Sequence, residues 1–386
     1  MTTVATFTDT YLPTVNGVTY TVRRWLECWN RDFGRMDVVF PAAAGYDPIG
    51  REHPVRSLPF PFYEGYRLGF PTGLPSLPTL DIVHAHTPFS IGLRALGLAR
   101  NTNTPFVASY HTPASEYARY LLPGPLSAFG SLLRRAATAY ERRFYDRATL
   151  VLTPSQSARQ HLRETVGVSS PIRVISNGVD TDRFRPVDGS AFRDRYDLTG
   201  PLIGYTGRHG HEKALPELLA AVDWLASDGE RERRDRGLDG LTLVLSGDGP
   251  ARPALEAQAA RTDANVRFLG FLERHELPAF YAALDVFSFP SPVETQGLVA
   301  LEAAACGTPT VAANAGALSE TVIDGVTGYH YPPGEPRAFG AAIERALANR
   351  EQLARNCLER REHHRTERTL ETVRKIYSRL SAETGL

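Results

Sequence analysis

The sequence predicts an α/β protein made of two doubly wound domains in tandem. Short apolar runs alternate with longer segments of helical period, and the alternation begins again half-way along. The length of 386 residues fits two domains at roughly 100–200 residues each. Apolar strands separated by helical crossovers imply parallel sheets with helices on both faces.

Val4–Thr8 reads as the first buried strand, Thr19–Trp29 as a helix and Met36–Phe40 as a strand. Residues 81–86 and Phe106–Tyr110 are further strands, with a Gly- and Leu-rich helix between them. Leu150–Thr153 follows, then a helix opening at Ser155, and Pro171–Ser176 closes the set. The second half repeats the scheme. Leu202–Thr206 is a strand, Leu215–Leu225 a helix, and Leu241–Leu245 a strand that runs into Ser246-Gly-Asp-Gly-Pro250. Val266–Leu269, Val286–Phe289 and Thr310–Ala312 are short strands, each followed by a helical pattern. Polar residues interrupt the pattern over Asn177–Asp197. The expected units are therefore 1–176 and 177–365, with a C-terminal helix over 366–386 that packs back on the first. Ser227–Gly240, dense in Arg, Asp, Glu and Gly, reads as a solvated loop or helix end.

Composition narrows the function. Forty-two per cent hydrophobic and 10% aromatic residues argue against disorder. Forty-three basic and 43 acidic residues leave a formal charge of zero, which argues against nucleic-acid binding through bulk charge. Cys28, Cys306 and Cys357 fit no zinc or redox spacing, so a reducing cytoplasm is the simplest setting. No apolar run is long enough to span a bilayer. The start has no basic region and meets a charge at Asp9, so no signal peptide is expected. Nearly every basic residue is arginine; the only lysines are Lys213 and Lys375. Composition bias explains most of that scarcity, yet it draws attention to where each lysine sits.

Ligands of open α/β sheets bind beyond the carboxyl ends of strands, so the cleft between two such domains is the expected site. The clearest segment is residues 290–309. A strand ends near Pro290 and a helix is expected from about Gln296, whose free N–H groups can hold a phosphate. Gly297 permits close backbone approach. Glu294 stands at the helix mouth, and Glu302 lies eight positions on, so both acids can face one cleft and accept hydroxyls. A capping or solvated role is the alternative.

The second segment, Gly204–Leu215, joins a strand to a helix and carries Arg208 and Lys213. Cations at a helix start oppose its dipole by a few tenths to about 1 kcal/mol. An anion removes that penalty, and charge-assisted contacts to a diphosphate contribute roughly 1.5–3 kcal/mol each. Pairing with Glu212 or Glu217 is the alternative. The third segment, Asp9–Val18, offers an Asn16-Gly17 turn before a helix, a weak phosphate signal. His84 and His86 alternate on one strand face, but no nearby acid or cysteine completes a metal set. His111, after a strand, better suits polar contact with a substrate. Asp180-Thr-Asp182 is read as turn and capping chemistry rather than a metal–diphosphate motif, so no metal site is assigned.

Together these segments resemble the retaining GT-B glycosyltransferases of family 4, over nearly the whole chain. The resemblance rests on Glu294-x7-Glu302, Asn177–Phe184, Gly207-Arg208 with Glu212-Lys213, and Gly247-Asp-Gly-Pro250. Asp9–Gly17, Pro59–Arg67 and Tyr110–Thr112 look like the branch containing diacylglycerol glucosyltransferases, sulfoquinovosyltransferases and phosphatidylinositol mannosyltransferases. The resemblance implies two Rossmann-like domains facing a cleft, acceptor-side first and nucleotide-sugar-binding second. It implies that Arg208 and Lys213 bind the donor diphosphate, helped by Gly17 and the Gly297 and Leu298 amides. Glu294 would bind the donor sugar, Glu302 the ribose, and His111 the transferring sugar. Gly247, Gly249, Phe271 and Leu272 would flank the nucleoside. No cofactor or bound metal is implied; the donor is a substrate, with UDP and GDP both open. His209-Gly210-His211 replaces the commoner apolar–polar sequence after Gly-Arg, and Ala214 replaces a usual Gly.

The implied reaction moves a hexose-type sugar to a hydroxyl with retention, through front-face attack in which a donor phosphate oxygen takes the proton. The acceptor is a membrane glycerolipid, or a soluble sugar, glycan or metabolite; a non-catalytic sugar-nucleotide binder is the remaining alternative. Over Leu126–Asp146, Leu126, Phe129, Leu132, Leu133, Ala136, Tyr140 and Phe144 fall at helical spacing, interleaved with Arg134, Arg135, Arg142 and Arg143. That helix either meets anionic lipid or packs on its own sheet with arginines in water. The expected location is cytoplasmic, with peripheral contact at the inner membrane face left open.

Overall fold

The computed structural model describes residues 2–60, 66–70, 73–74, 76–113, 130–227 and 230–384. The chain divides into two compact units. The first comprises Met1–Gly178 with Thr366–Leu386, and the second Val179–Arg365.

In the first unit the strands are β1 (Thr2–Phe7), β2 (Gly34–Pro41), β3 (Glu52–Val55), β4 (Ser57–Pro59), β5 (Arg67–Gly69), β6 (Ile82–Ala85), β7 (Phe106–Ser109), β8 (Leu150–Thr153) and β9 (Ile172–Val174). Seven of them form one sheet in the order β3-β2-β1-β6-β7-β8-β9, and every pair in it is parallel. The pair β4–β5 is antiparallel and separate. The second unit holds β10 (Leu202–Thr206), β11 (Thr242–Ser246), β12 (Asn265–Gly270), β13 (Val286–Phe289), β14 (Thr310–Ala313) and β15 (Gly328–Tyr331). They form a parallel sheet ordered β12-β11-β10-β13-β14-β15.

Burial explains the near-continuous apolar runs. Strands β10 and β11 are buried at every position, as expected when helices cover both sheet faces. The period of two sorts residues between layers. On the first sheet, Val4 and Ile82 join one cluster while Ala5 and Val83 join the other. The helix Gly17–Asp32 covers the Val4 side through Trp25 and Trp29. On that side lies also the C-terminal helix Thr366–Thr384, which buries Leu370, Val373 and Tyr377 completely.

Several local expectations change. Strands β3 and β15 and the β4–β5 pair escape the sequence reading because none is an apolar run: they read Glu-His-Pro-Val, Gly-Tyr-His-Tyr, Ser-Leu-Pro and Arg-Leu-Gly. The arginine-bearing helix is described over Gly130–Tyr145. Leu126 and Phe129 lie outside the described residues, as does the Leu132 side chain. Phe144 is buried, but Ala136, expected on the apolar face, is exposed. Arg134, Arg135, Arg142 and Arg143 are exposed. Ser227–Gly240, read as a solvated loop or helix end, is exposed at most of its described positions and carries the short helix Glu230–Asp235, but Leu238 is buried. Arg236 there grips both oxygens of Glu344 at 2.8 Å. All three cysteines are free and buried. No helix among the described residues is long and apolar enough to cross a membrane.

Leu370 is a sensitive point, because its side chain joins a helix remote in sequence to the Val4 layer. Leu370→Ala is expected to lower the stability of the first unit by ~2–4 kcal/mol. The measurement is the urea midpoint of Trp25 and Trp29 fluorescence in a Trp224→Phe background.

Candidate active site

In each sheet the strand order reverses beside the first strand of its unit: between β1 and β6 in the first, and between β10 and β13 in the second. Crossovers leave in opposite directions there, which opens a crevice at the strand carboxyl ends. The predicted segments fall at these ends. Asp9–Gly17 follows β1, residues 207–213 follow β10, and residues 290–297 follow β13.

In the second unit the strand-end loops are tied together. His209 donates its amide to Asp248 O at 2.8 Å, and Ala251 donates to His209 O at 2.9 Å. Gly247 donates to Gly270 O at 2.7 Å. Gly247 has φ +113°, and a Cβ there would come 2.0 Å from Gly207 O, so only glycine lets these loops touch. A Cβ on Gly249 would likewise come 2.7 Å from His209 O. Residues His211–Lys213 make a single 3-10 turn. It directs Lys213 Nζ to Glu294 Oε1, 2.5 Å away. Ser291 Oγ reaches Glu212 O at 3.4 Å, a second tie between the same loops. Lys213 also lies 5.9 Å from the Phe289 ring centroid. Gly297, at φ +79°, precedes the helix Leu298–Ala305 and supplies no side-chain cap, which leaves its first amides suited to an oxyanion. The helix starts two residues later than the sequence predicts.

Glu302 is buried, at 5% exposure. Arg274 Nη2 donates to its Oε1 at 3.1 Å, and Tyr281 Oη donates to its Oε2 at 3.1 Å. Burial pushes the carboxyl pKa up, and Arg274 opposes that shift. Arg274 also stacks over Phe184, 5.0 Å from the ring centroid. Phe271 is 59% exposed just past β12, whereas the Leu272 side chain lies in the core at 5%. A role for Leu272 beside a nucleoside is thereby restricted to its backbone. Asp180 and Asp182 behave as turn residues. Arg183 N donates to Asp180 Oδ1 at 3.3 Å, and Arg365 pairs with Asp182 at 3.5 Å. No group of three His, Cys, Asp or Glu side chains fit to hold a metal occurs among the described residues.

The departures after Gly207-Arg208 have physical readings. His209 is fully buried, and neither ring nitrogen has a hydrogen-bond partner among the described residues. Its ring packs beside Tyr205 and Phe268, and burial lowers its pKa. The ring sits where an apolar residue would, with the Ser246 backbone and the Asp248 charge opposing the effect of burial. Ala214 sits at φ +50°, ψ 32°, a left-handed conformation that costs a Cβ-bearing residue about 1–2 kcal/mol. Glycine is free of that cost.

The first unit holds Gly17 and His111. Gly17 opens its helix after Asn16, whose side chain accepts from Thr19 N at 2.9 Å. Asp9 is buried and accepts from Thr87 Oγ1 at 2.7 Å, Ser90 Oγ at 3.0 Å and the Ile91 amide at 2.9 Å. It thus caps the helix Ser90–Thr102 across the switch point. His111 follows β7, and its Nε2 lies 2.9 Å from His86 Nδ1. His84 lies between Ser109 Oγ at 2.8 Å and Tyr377 Oη at 2.6 Å. The structure therefore brings together Lys213 with Glu294, and the loops of Arg208, Gly247 and Gly249, within the second unit. His111 and Gly17 belong to the first. Sequence reasoning missed Arg274 and Tyr281 as partners of Glu302. Tyr377 also lacked a signal, since 293 residues separate it from His84.

Residues 191–363 match the family described as Glycosyl transferases group 1, and residues 15–183 match Glycosyltransferase Family 4. Glycogen synthase of Mycobacterium tuberculosis is 34% identical over 69% of this chain, a stretch spanning 60% of that relative. Alpha-monoglucosyldiacylglycerol synthase of Streptococcus pneumoniae is 30% identical over 89% of this chain and 78% of its own. A GDP-mannose-dependent alpha-mannosyltransferase of M. tuberculosis is 32% identical over 86% and 84%. Among solved structures, sucrose-phosphate synthase from Thermosynechococcus elongatus superposes with a TM-score of 0.77 at 22% identity, covering 99% of this chain and 100% of that one. Anabaena HepE, in complex with UDP and glucose, gives 0.72 at 21% identity over 97% and 99%. The two structures share the fold.

Two outcomes follow from this geometry. Ala214→Gly is expected to raise stability by ~0.5–1 kcal/mol, seen as a higher urea midpoint. Arg274→Ala leaves Glu302 buried without its cation and is expected to cost ~1–3 kcal/mol at neutral pH. A carboxyl whose folded pKa is raised binds protons more tightly in the folded state, so stability is greatest below the unfolded value and falls as pH rises through the folded one. The variant's midpoint should therefore recover on acidification toward pH 5, and Arg274→Ala with Glu302→Gln should abolish that recovery.

Proposed function

The chain belongs to family 4 of the GT-B glycosyltransferases, and from that premise we propose that it is a retaining enzyme. It moves a hexose-type sugar from a nucleoside diphosphate to a hydroxyl acceptor. The observation that carries this reading is the 2.5 Å contact between Lys213 and Glu294, made where β10 and β13 flank the switch point. A cation suited to a diphosphate and a carboxylate suited to sugar hydroxyls are held one contact apart.

The chemistry follows from charge. As the glycosidic bond to phosphate breaks, negative charge grows on the diphosphate. Arg208, Lys213 and the first amides of the helix Leu298–Ala305 stabilise it. When the donor binds, Lys213 exchanges Glu294 for phosphate oxygen, which releases Glu294 to accept sugar hydroxyls. Glu302 takes the ribose by exchanging Arg274 or Tyr281 for a hydroxyl. The acceptor attacks from the face the phosphate leaves, and a phosphate oxygen takes its proton. No resident cofactor enters the scheme.

A glycerolipid acceptor is the reading for the second substrate. It is supported by the exposed Arg134, Arg135, Arg142 and Arg143 on one helix, which suit anionic headgroups at the inner face of a membrane. The diacylglycerol-named relative also covers 89% of the chain.

The test measures donor hydrolysis and transfer with UDP- and GDP-sugars, offering diacylglycerol vesicles and soluble acceptors in parallel. Lys213→Ala is expected to lower kcat about 10²–10³-fold, and Glu294→Gln to lower it comparably. Full activity in both folded variants would remove the site assignment. Transfer to soluble acceptors alone would replace the lipid reading.

A further inference from the structure

One polar group of the first unit is built around three histidines. His84 and His86 are buried on one face at the end of β6, with ring centroids 4.1 Å apart. Both nitrogens of His84 are engaged, Nε2 by Ser109 and Nδ1 by Tyr377. This ties the C-terminal helix to the strand that delivers His111. His86 is engaged on one side only. Its Nδ1 meets His111 Nε2 at 2.9 Å, while its Nε2 is buried with no hydrogen-bond partner among the described residues. Trp25 packs against the His86 ring edge-on, at a centroid distance of 5.5 Å.

The two facing rings lie within 7° of parallel, with centroids 5.2 Å apart. Nitrogens at 2.9 Å and centroids at 5.2 Å mean that the rings meet edge to edge in one plane, as a linear N–H···N bond requires. One facing nitrogen must carry the proton and the other must accept it. If His86 carried its proton on Nε2, a buried N–H would have no acceptor, and orphaned buried N–H groups are rarer in folded proteins than under-satisfied acceptors. The proton therefore belongs on His86 Nδ1 and is donated to His111 Nε2. His111 then carries its own proton on Nδ1, because a ring nitrogen's hydrogen bond fixes the tautomer of the other.

We propose that His86 is a positioning residue that locks His111 as the Nδ1–H tautomer, so that His111 acts as a hydrogen-bond donor rather than as a base at Nε2. Burial supports the neutral state of the pair: it lowers the His111 pKa to about 4 and holds His86 well below 6.5. An Nδ1–H donor suits a sugar hydroxyl, and the occupation of Nε2 by the His86 N–H agrees with a reaction in which the donor phosphate takes the acceptor's proton. The tautomer follows from the geometry alone. Its consequence for turnover rests on the glycosyl-transfer reading.

The experiment uses the full chain with ¹⁵N-labelled histidine. His111 is assigned by its loss in His111→Gln, and its tautomer is read from long-range ¹H–¹⁵N correlations. The wild type should show His111 as Nδ1–H. His86→Asn, whose amide N–H stands near the position of Nδ1–H, should keep that tautomer and most of the activity. His86→Phe should lose the fixed tautomer and lower kcat at least about tenfold with KM little changed, as expected when a wrong tautomer is imposed. Far-UV circular dichroism confirms that each variant is folded. An Nε2–H tautomer in the wild type would overturn the proposal, as would unchanged tautomer and kcat in His86→Phe. If no sugar nucleotide supports hydrolysis or transfer by the wild type, the functional reading fails, and the spectra still decide the tautomer.

Discussion

Parallel strand pairing is the constraint on which the rest of this structure depends. A parallel neighbour can be reached only by a crossover, so all strands of a sheet finish at one edge and their loops collect there. Where the order reverses, beside β1 and beside β10, the loops part and leave their backbone groups accessible. Residues distant in sequence then become neighbours without any special contact between them. Lys213 and Glu294, 81 positions apart, meet because β10 and β13 are adjacent. Gly247 lies under Gly207 because β11 is adjacent to β10 on the other side.

Two site acids of the second unit are held by protein donors. Lys213 holds Glu294, and Arg274 with Tyr281 holds Glu302. A buried carboxylate without a partner carries a desolvation cost of several kcal/mol, so the fold supplies each acid with a protein donor. Those donors match in kind the hydroxyls and cations that a sugar nucleotide and its site would exchange. In the first unit Asp37 is likewise buried against Arg35, at 2.7 Å, while other polar groups there are met by neutral partners. Asp9 accepts from a helix N-terminus and two hydroxyls, and the histidines hydrogen-bond to one another, to Ser109 and to Tyr377. Satisfied polar networks of this kind fix orientation, because each member has one arrangement that leaves few groups unpaired.

Much of the candidate site was legible because its signals are local. A strand, a glycine-bearing turn and a helix start within ten residues can be read directly, and this located Arg208, Lys213, Glu294 and Gly297. Glycines at 247 and 249 were also visible, although their cause, the approach of Gly207 and His209, was not. Ala136 shows the limit of periodicity, since a helical pattern gives a face but not what covers it. The Ser227–Gly240 segment shows the same limit from the polar side. Its charge density suggested solvent, and most of its described residues are exposed, but the pairing of Arg236 with Glu344, more than a hundred residues away, was not visible.

By itself the sequence determined the alternation of strands and helices, the two-unit organisation it implies, and the chemical character of each strand-end loop. These depend on spacing and residue type within short windows, where side-chain period and turn chemistry act directly. Only the tertiary structure decided the pairings: Lys213 with Glu294, Arg274 and Tyr281 with Glu302, Tyr377 with His84, and His86 with His111. Such contacts depend on strand order and on distances between side chains far apart along the chain. The burial that makes a partner necessary exists only once the sheets are covered.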